Sequence, residues 1–353
     1  MSTHEGPRFR RRPRLAHFVS LAAVALAACS GGGGKTPLVL YSPHGRDLLT
    51  LFEKTYEAQN PTVDVQWLDM GSQEVYDRVR TEAANPQGDV FFGGPASILK
   101  RAAEENLLEP YRPAWADQIA ASGRDDKNRF FALYRTPPIL VYNEKVVSAA
   151  DAPQDWDDLL APRFTGKVLV REPVASGTMR TIFGFILARS QAQTGSTGAG
   201  FEWLRKLDAQ TKEYVSNPAL LHLKMERQEG QITCWELTDI LFQRKRGAPL
   251  AYVFPKSGSP VIADSVGLVK GARHPEEAKK FLDWVGSREV QVLAAKELFR
   301  LPARQDIPAE ELPAWARDAT AKLVEAELDW DFLAAHQNEW MQTWDSTVRG
   351  RGK

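Results

Sequence analysis

The segment Ala175, Ser176, Gly177, Thr178 has the residue types best suited to binding chemistry in this chain. A glycine lets neighbouring backbone N–H groups converge, and the serine and threonine hydroxyls add donors where a helix is expected to begin. The start of a helix attracts anions, because its first N–H groups are free and carry a partial positive charge. The segment therefore suits a phosphate, phosphonate or carboxylate. The structural alternative is an ordinary helix N-cap.

Glu236 and Asp239 form a second candidate set, because carboxylates can coordinate a cation or hold an amine. They lie at the expected start of a helix, where a carboxylate equally serves the helix dipole, so both interpretations stand. His44 follows the first expected strand. Its imidazole either donates to an anionic solute or caps the next helix.

Arg135 and Thr136 precede two prolines, which hold the following strand, residues 139–142, extended. Such a segment is typical of a crossing between two domains, and both residues would then face the cleft between them. For Arg135, an ordinary surface position is the alternative.

Composition and motifs exclude two classes of function. The sequence has no GxSxG elbow, no Walker loop, no HExxH and no cysteine pair for zinc or redox chemistry. We therefore expect a protein that is not an enzyme and needs no cofactor. Lys plus Arg number 45 and Asp plus Glu number 45. Without a basic surplus there is no electrostatic footprint for a nucleic acid.

The first 28 residues have the pattern of a bacterial export signal. Arginines between positions 8 and 14 precede an apolar run, residues 18–28, that is too short to span a bilayer. The segment Leu26 to Cys29 resembles the lipobox of bacterial lipoproteins, in which the cysteine is acylated and becomes the new N-terminus. Cys29 would then anchor the protein to a membrane on its periplasmic or cell-surface face, with glycine-rich residues 29–36 as a flexible leash. An ordinary cleavage site that contains a cysteine is the alternative.

Along the remaining chain, short apolar or β-branched runs alternate with amphipathic helical segments. This alternation is typical of α/β units on a mostly parallel sheet. About 320 residues exceed what one hydrophobic core organises, so two domains are expected. The predicted strands lie at 38–41, 63–68, 89–92, 139–142, 167–171, 232–235, 250–254 and 266–269. The predicted helices lie near 48–56 and 72–79 and at 96–105, 178–189, 199–207, 220–228 and 238–246.

Two extended passages between the domains are expected, because the strands at 250–254 and 266–269 bring the chain back. Two strands that join two α/β bodies make a hinge. In such sheets, ligands bind beyond the carboxyl ends of the strands. The loops at those ends are residues 42–45, 93–97, 175–178 and 236–239.

Four phrases, in order along the chain, resemble the family 1 extracellular solute-binding proteins of ABC importers. They read LVLYSPHGRDLLTLFEKTYEAQNP, NPQGDVFFGGPASILKRAAEENLLEPY, DDLLAPRFTGKVLVREPVASGT and SVGLVKGARHPEEAKKFLDWVGSREVQ. The similarity covers nearly the whole chain after the export signal. It points to the branch whose members bind ferric iron, phosphonates such as 2-aminoethylphosphonate, or phosphorylated small solutes.

The resemblance implies a class II periplasmic-binding fold, in which two doubly wound α/β lobes on a two-strand hinge close over a solute and present it to a membrane permease. We expect one lobe at 37–135 and 255–303 and the other at 136–254 and 304–353. The expected function is capture of a small anionic solute, phosphonate or phosphorylated, by a monomeric lipoprotein of an ABC importer. The alternatives are a ferric-iron-binding transporter protein and a tethered solute sensor.

The resemblance also implies roles for single residues. In related iron and phosphonate binders a Ser-Gly loop holds an anion, and this role carries over to Ser176, Gly177 and Thr178. Asn217 corresponds to a polar cleft residue of the relatives. Closure of the lobes would bring Ser42 and His44 against the Ser-Gly loop.

Iron-binding relatives supply adjacent tyrosines, a glutamate and often a histidine. Here the stretch that matches the tyrosine pair, residues 235–240, contains no tyrosine, and the glutamate position falls at about Gly94. His44 lies one residue away from the family's histidine. The loss of these ligands argues against iron.

Overall fold

The computed structural model describes residues 34–351. The expected export signal, Cys29 and most of the glycine leash lie outside the described residues. The strands are β1 Thr36–Ser42, β2 Val63–Asp69, β3 Val90–Pro95, β4 Leu108–Glu109, β5 Phe131–Thr136, β6 Pro138–Asn143, β7 Val168–Arg171, β8 Thr211–Val215, β9 Ile232–Glu236, β10 Leu250–Val253, β11 Ile262–Val269 and β12 Leu301–Pro302. The helices are α1 Arg46–Gln59, α2 Ser72–Thr81, α3 Ala96–Glu104, α4 Gly177–Thr194, α5 Gly198–Gln210, α6 Pro218–Glu226, α7 Leu237–Lys245, α8 Pro275–Val285, α9 Arg288–Leu298, α10 Ala314–Lys322 and α11 Trp330–Thr347. Short 3₁₀ helices lie at Ala116–Gln118, Ala121–Gly123, Trp156–Leu160, Pro162–Phe164 and Ala309–Glu311.

A seven-stranded sheet has the order β12-β5-β11-β3-β1-β2, with β4 paired to β11. β1 is parallel to both β2 and β3, whereas β11 runs antiparallel to β3, β4 and β5. Because β1, β2 and β3 are parallel, their carboxyl ends meet at one edge of the sheet. The helices α1, α2 and α3 each follow directly after one of these ends.

A five-stranded sheet has the order β10-β6-β9-β7-β8. β7 is parallel to β8 and β9, whereas β6 runs antiparallel to β9 and β10. The helices α4, α6 and α7 follow the carboxyl ends of β7, β8 and β9. The second sheet therefore also gathers three helix starts at one edge.

Each sheet has its own hydrophobic core. In the seven-stranded sheet, Leu40 and Phe92 belong to one buried cluster and their chain neighbours Tyr41 and Phe91 belong to another. Successive side chains of a strand point to opposite faces, so this sheet is covered by apolar groups on both sides. A third cluster surrounds the five-stranded sheet and includes Leu140, Val170, Phe183 and Trp344.

The C-terminal helix α11 packs on the five-stranded sheet, because Trp340, Met341 and Trp344 are buried in its core. Among the described residues, no helix has the length and apolar character needed to cross a membrane.

Two features differ from the sequence-based prediction. The sheets are mixed rather than mostly parallel, because β5, β6, β10, β11 and β12 all pair antiparallel. In addition, β5, β8, α8 and α9 were not predicted as separate elements. β8 is a partly exposed edge strand with the sequence TKEYV, so it lacks the apolar run that marks a buried strand.

The two passages between the sheets differ in length. β5 ends at Thr136 and β6 begins at Pro138, so Pro137 alone leads from the first sheet to the second. Residues 254–261 lead back from β10 to β11. The chain from Lys35 onward forms a single compact unit, so the two sheets and their helices pack against each other.

Candidate functional site

A cleft of about 620 Å³ lies between the two sheets, at the edges where the parallel strands end. This volume falls in the range of sites for small molecules. The described residues on its wall come from both sheets. The ionisable ones are His44, Arg46, Asp47, Asp69, Glu74, Arg171, His222, Glu236, Asp239, Arg246, Asp264 and Arg300.

Six of the described helices begin on the wall of the cleft. This follows from the topology, since each comes directly after a parallel strand. Free N–H groups and the helix dipoles therefore direct partial positive charge into the cleft, which favours an anion. The N-cap residues are Gly45 of α1, Gly71 of α2, Pro95 of α3, Ser176 of α4, Asn217 of α6 and Glu236 of α7.

Nine of the eleven candidate ligand-binding residues line this cleft: His44, Gly94, Thr136, Ser176, Gly177, Thr178, Asn217, Glu236 and Asp239. Ser42 and Arg135 are not on its wall. Ser42 is fully buried, and its Oγ accepts a hydrogen bond from the His44 N–H at 3.2 Å. Arg135 forms an ion pair with Glu325 instead, which corresponds to the surface alternative considered for this residue.

The side chains of Ser176 and Asn217 act as helix caps. Ser176 Oγ accepts a hydrogen bond from the Met179 N–H at 3.2 Å, and Asn217 Oδ1 accepts one from the Leu220 N–H at 2.9 Å. The structural alternative for the Ser-Gly loop is thus realised at Ser176. Each side chain still keeps a donor, the hydroxyl or the amide group, for a further partner.

Gly177 lies where the two sheets touch. Its N–H donates to Ser72 Oγ at 3.1 Å, which joins α4 to the start of α2. A Cβ atom on Gly177 would lie 2.7 Å from Pro95 Cδ, and one on Gly71 would lie 2.7 Å from the Ala175 carbonyl oxygen. The absence of side chains at these two positions therefore permits the close approach of the sheets.

A buried ionic cluster forms one side of the cleft. His44 Nε2 lies 2.8 Å from Asp264 Oδ2, the Gly94 N–H donates to Asp264 Oδ1 at 2.6 Å, and Arg300 Nη1 lies 3.9 Å from Asp264. The positive charges of His44 and Arg300 lower the pKa of Asp264, against the opposing effect of burial. Gly93 is required here, because a Cβ atom at its φ of 104° would overlap the His44 ring.

Two carboxyl groups lie together on the opposite side. Burial and the neighbouring Asp239 raise the pKa of Glu236 to about 8, so this group is largely protonated at neutral pH. Thr178 Oγ1 donates to Glu236 at 3.4 Å, and Trp235 Nε1 donates to Asp239 at 2.8 Å. His222 Nε2 lies 3.8 Å from Asp239, and burial lowers the pKa of His222.

Five buried side-chain atoms on the wall have no hydrogen-bond partner among the described residues. An unpaired buried polar atom is costly, and several such atoms belong to residues of this one cleft. Sequence reasoning did not single out three of their residues. The atoms are His44 Nδ1, Thr136 Oγ1, Arg171 Nε, His222 Nε2 and Arg300 Nε.

The three residues that sequence reasoning missed differ in how readily the sequence could have identified them. Arg171 ends a strand that the sequence did predict, directly before the Ser-Gly loop, so its place at a carboxyl end could have identified it. His222 lies within α6, and Arg300 follows α9, more than 60 residues from the other site loops. Only the tertiary fold brings these two to the cleft.

The family comparison supplies the decisive observation. The model for the bacterial extracellular solute-binding proteins matches residues 85–336, which is more than half of the chain. The chain belongs to this family. It is therefore a solute-binding protein, and the family is not one of enzymes.

Two relatives of this solute-binding protein are similar over most of their length. A probable ABC transporter periplasmic-binding protein of Sinorhizobium fredii is 28% identical over 95% of this chain and 93% of its own. A putative 2-aminoethylphosphonate-binding periplasmic protein of Salmonella typhimurium is 27% identical over 80% of this chain and 82% of its own.

A solved structure gives the same architecture. The periplasmic binding protein AfuA of Actinobacillus pleuropneumoniae, with fructose-6-phosphate bound, superimposes with a TM-score of 0.78 at 26% identity. The match covers 90% of this chain and all of that one. The class II periplasmic-binding fold that the sequence phrases implied is thereby confirmed.

The arrangement of metal-ligating side chains bears on the ferric-iron alternative. Among residues 34–351, no group of three or more His, Cys, Asp or Glu side chains is arranged to hold a metal ion. The segment from Trp235 to Asp239 contributes an indole, two carboxyl groups and a threonine to the cleft, and no phenol.

Proposed function

We propose that this protein is the solute-binding component of an ABC importer and that it captures a small anionic solute, a phosphonate or a phosphorylated compound. The importer role is supported by the relative described as a probable ABC transporter periplasmic-binding protein. The anionic class is supported by relatives whose names or ligands carry a phosphonate or a sugar phosphate. The observation that carries the proposal is the convergence of six helix starts on one cleft.

In this proposal, residues 37–135 with 255–303 and residues 136–254 with 304–353 are two lobes, each built on one of the sheets. A solute that contacts both lobes stabilises the closed form by its differential affinity for that form. Ser176, Gly177, Thr178 and Asn217 contact the solute from one lobe, and His44 and Gly94 contact it from the other. Ser42 supports the loop of His44 from behind, through the 3.2 Å hydrogen bond.

The carboxyl groups of Glu236 and Asp239 favour a solute that also carries hydrogen-bond donors. Hydroxyl groups of a sugar and an ammonium group both satisfy carboxyl oxygens. Both chemistries occur among the relatives, in fructose-6-phosphate and in 2-aminoethylphosphonate. In this proposal Thr136 Oγ1, which has no partner among the described residues, adds a further polar contact.

A thermal-shift panel tests the solute class. The panel contains 2-aminoethylphosphonate, fructose 6-phosphate, glycerol phosphate, unphosphorylated fructose, citrate and ferric citrate. A ligand at 100 times its dissociation constant adds about 2.7 kcal/mol to the stability of the folded protein. We expect phosphonates or phosphate esters to raise the melting temperature and fructose to leave it unchanged. A rise with ferric citrate alone would favour the ferric-iron alternative and contradict the proposal.

Neighbouring genes and solute uptake distinguish an importer component, which releases its solute to a permease, from a tethered sensor. Permease and ATPase genes beside this gene, and solute uptake that stops when the gene is deleted, are the expected results. A neighbouring sensor kinase, with uptake unchanged in the deletion strain, would contradict the importer role.

A further inference from the structure

The cleft contains four arginines. In three of them the positive charge lies near a carboxylate or is exposed to solvent. Arg246 pairs with Asp47 at 3.0 Å. Arg300 lies 3.9 Å from Asp264. Arg46 is exposed to solvent. None of these three presents a buried positive charge without a counter-ion.

Arg171, the last residue of β7, is different. It is 5% exposed, and no carboxylate among the described residues lies within 4.0 Å of its guanidinium group. Nη1 donates to the Glu172 carbonyl oxygen at 3.2 Å, and Nε has no partner among the described residues. Burial lowers the pKa of Arg171, and the carboxylates of Glu172 and Glu74 oppose this only from a distance.

Both of those carboxylates are engaged elsewhere. Glu74 Oε2 accepts a hydrogen bond from the Gly71 N–H at 2.6 Å, as the cap of α2. Glu172 forms an ion pair with Arg349. Arg171 is thus a buried cation whose neighbours do not neutralise it.

A buried charge without a counter-charge is unfavourable. We propose that Arg171 is the charge partner of the anionic group of the solute. This inference rests on the proposed function and deepens it. It assigns the phosphonate or phosphate to the side of the five-stranded sheet, beside the starts of α4 and α6.

The hydrogen bonds already made at the starts of α4 and α6 explain why an arginine is needed. The Met179 N–H donates to Ser176 Oγ, the Gly177 N–H donates to Ser72 Oγ, and the Leu220 N–H donates to Asn217 Oδ1. These two helix starts therefore offer an oxyanion fewer free N–H groups than uncapped helix starts would. The planar guanidinium group supplies paired N–H donors that match two oxygens of a phosphate or phosphonate.

Arg180 provides a matched control. It is 6% exposed and also has burial that lowers its pKa, to about 10. Its Nε donates to the Val174 carbonyl oxygen at 3.1 Å and its Nη1 to Asn338 Oδ1 at 3.4 Å, and it does not line the cleft. Its hydrogen bonds serve the fold of the protein, whereas those of Arg171 are incomplete.

The test compares Arg171→Met, Arg171→Lys and Arg180→Met with the unmodified chain. Calorimetric titration with 2-aminoethylphosphonate, fructose 6-phosphate and fructose gives the affinities, and melting temperatures are measured without solute. We expect Arg171→Met to weaken binding of the phosphonate or phosphate ester about 30-fold or more. Its melting temperature without solute should stay unchanged or rise, because a buried unpaired charge is removed. Arg171→Lys should keep part of the affinity, and Arg180→Met should lower the melting temperature and leave the affinity unchanged.

Two results overturn the inference without affecting the proposed function. One is equal affinity of Arg171→Met and the unmodified chain for an anionic probe. The other is a fall in melting temperature as large as that of Arg180→Met, which would assign Arg171 a structural role. If the unmodified chain binds neither anionic probe, the proposed function fails and the inference fails with it.

Discussion

Asp264 holds together the ionic side of the cleft, because it accepts hydrogen bonds from His44 and from the Gly94 N–H while Arg300 lies nearby. Its pKa is lower in the folded protein than in the unfolded chain, where it is about 3.9. A carboxylate of this kind stabilises the folded state above that pH, and the contribution is lost as the pH falls through the folded-state pKa.

We therefore predict that Asp264→Asn lowers the free energy of unfolding by about 3 kcal/mol at pH 7, since His44 and Arg300 lose their buried partner. The difference from the unmodified chain should shrink as the pH falls below about 4, where the unfolded chain takes up the proton first, and should be lost below the folded-state pKa of Asp264. Urea unfolding of both proteins at pH 7 and pH 3 measures this difference in unfolding free energy. Asp331→Asn, at a side chain 83% exposed, is the control. A difference that does not change with pH would contradict this account of Asp264.

Glu236 shows the opposite shift. Its folded-state pKa of about 8 lies above the unfolded value of about 4.3, so the folded protein binds the extra proton in between. The contribution of Glu236 to the stability of the solute-free protein therefore falls as the pH rises from about 4.3 to 8.

For Glu236→Gln, which mimics the protonated form, we predict a gain in unfolding free energy over the unmodified chain that grows from pH 5 to pH 8 and then levels. The gain should reach on the order of 5 kcal/mol at pH 8. Chemical unfolding of the solute-free protein across this range measures it, with the exposed Glu310→Gln as control. If the difference in unfolding free energy between Glu236→Gln and the unmodified chain stays constant from pH 5 to pH 8, Glu236 is ionised over this whole range and the prediction is wrong.

At this scale, sequence reasoning found the loops but not the state of each side chain. Ser176 and Asn217 stand out because polar residues before a helix are visible in the sequence, and both line the cleft. That both side chains cap their helices depends on atomic geometry. Arg171 could have been identified from its place at the end of a predicted strand, whereas His222 reaches the cleft through the packing of α6, which no local pattern indicates.

At the scale of elements, the parallel strands account for the position of the cleft. β1, β2 and β3 in one sheet and β7, β8 and β9 in the other each lead into a helix at the same edge. The sequence predicted these strands except β8, since their apolar runs are bounded by glycine, proline or serine. The antiparallel pairings were not predictable, because they depend on where the chain re-enters each sheet.

The contact between α4 and α2 gives a third prediction. Gly177→Ala places a methyl group against Ser72 Oγ and Pro95, so it disfavours the closed form. We expect about 10-fold weaker binding of the solute identified in the panel, equivalent to about 1.4 kcal/mol, with an unchanged helix content. Titration calorimetry and X-ray scattering, which should report a larger maximum dimension with solute present, measure the effect.

Gly198→Ala is the matched control for this substitution. Gly198 is also the first residue of a helix, α5, and its added Cβ would meet only Ser196 Oγ, at 3.2 Å. This variant should bind as the unmodified chain does. If Gly177→Ala and Gly198→Ala bind the solute with equal affinity, the contact at Gly177 does not influence solute binding and the prediction is wrong.

At the scale of the whole molecule, the sequence predicts attachment to a membrane through Cys29. We expect the full-length chain, expressed in a bacterium that processes lipoproteins, to fractionate with membranes, and Cys29→Ser to be recovered in the soluble periplasmic fraction. Mass spectrometry of the mature N-terminus should detect the acyl groups. Cys234→Ser is the control, since that thiol is fully buried in β9.

Recovery of the unmodified chain in the soluble periplasmic fraction would contradict lipid attachment at Cys29 and favour the ordinary cleavage site. Recovery of Cys29→Ser with the membrane would show that attachment does not depend on this cysteine. The two-body architecture itself was predictable from length and from the alternation of strands and helices. The close packing of the bodies was not, because it depends on the approach of Gly71 to Ala175 and of Gly177 to Ser72 and Pro95.

The order of strands in the seven-stranded sheet has a consequence for biogenesis. β11 lies between β5 and β3, yet it is synthesised only after every strand of the five-stranded sheet. A nascent chain that ends before residue 262 thus lacks the strand that bridges the two parts of this sheet, whereas residues 138–253 contain all five strands of the other. For a protein that is exported before it folds, this late strand delays completion of the seven-stranded sheet until β11 has been synthesised.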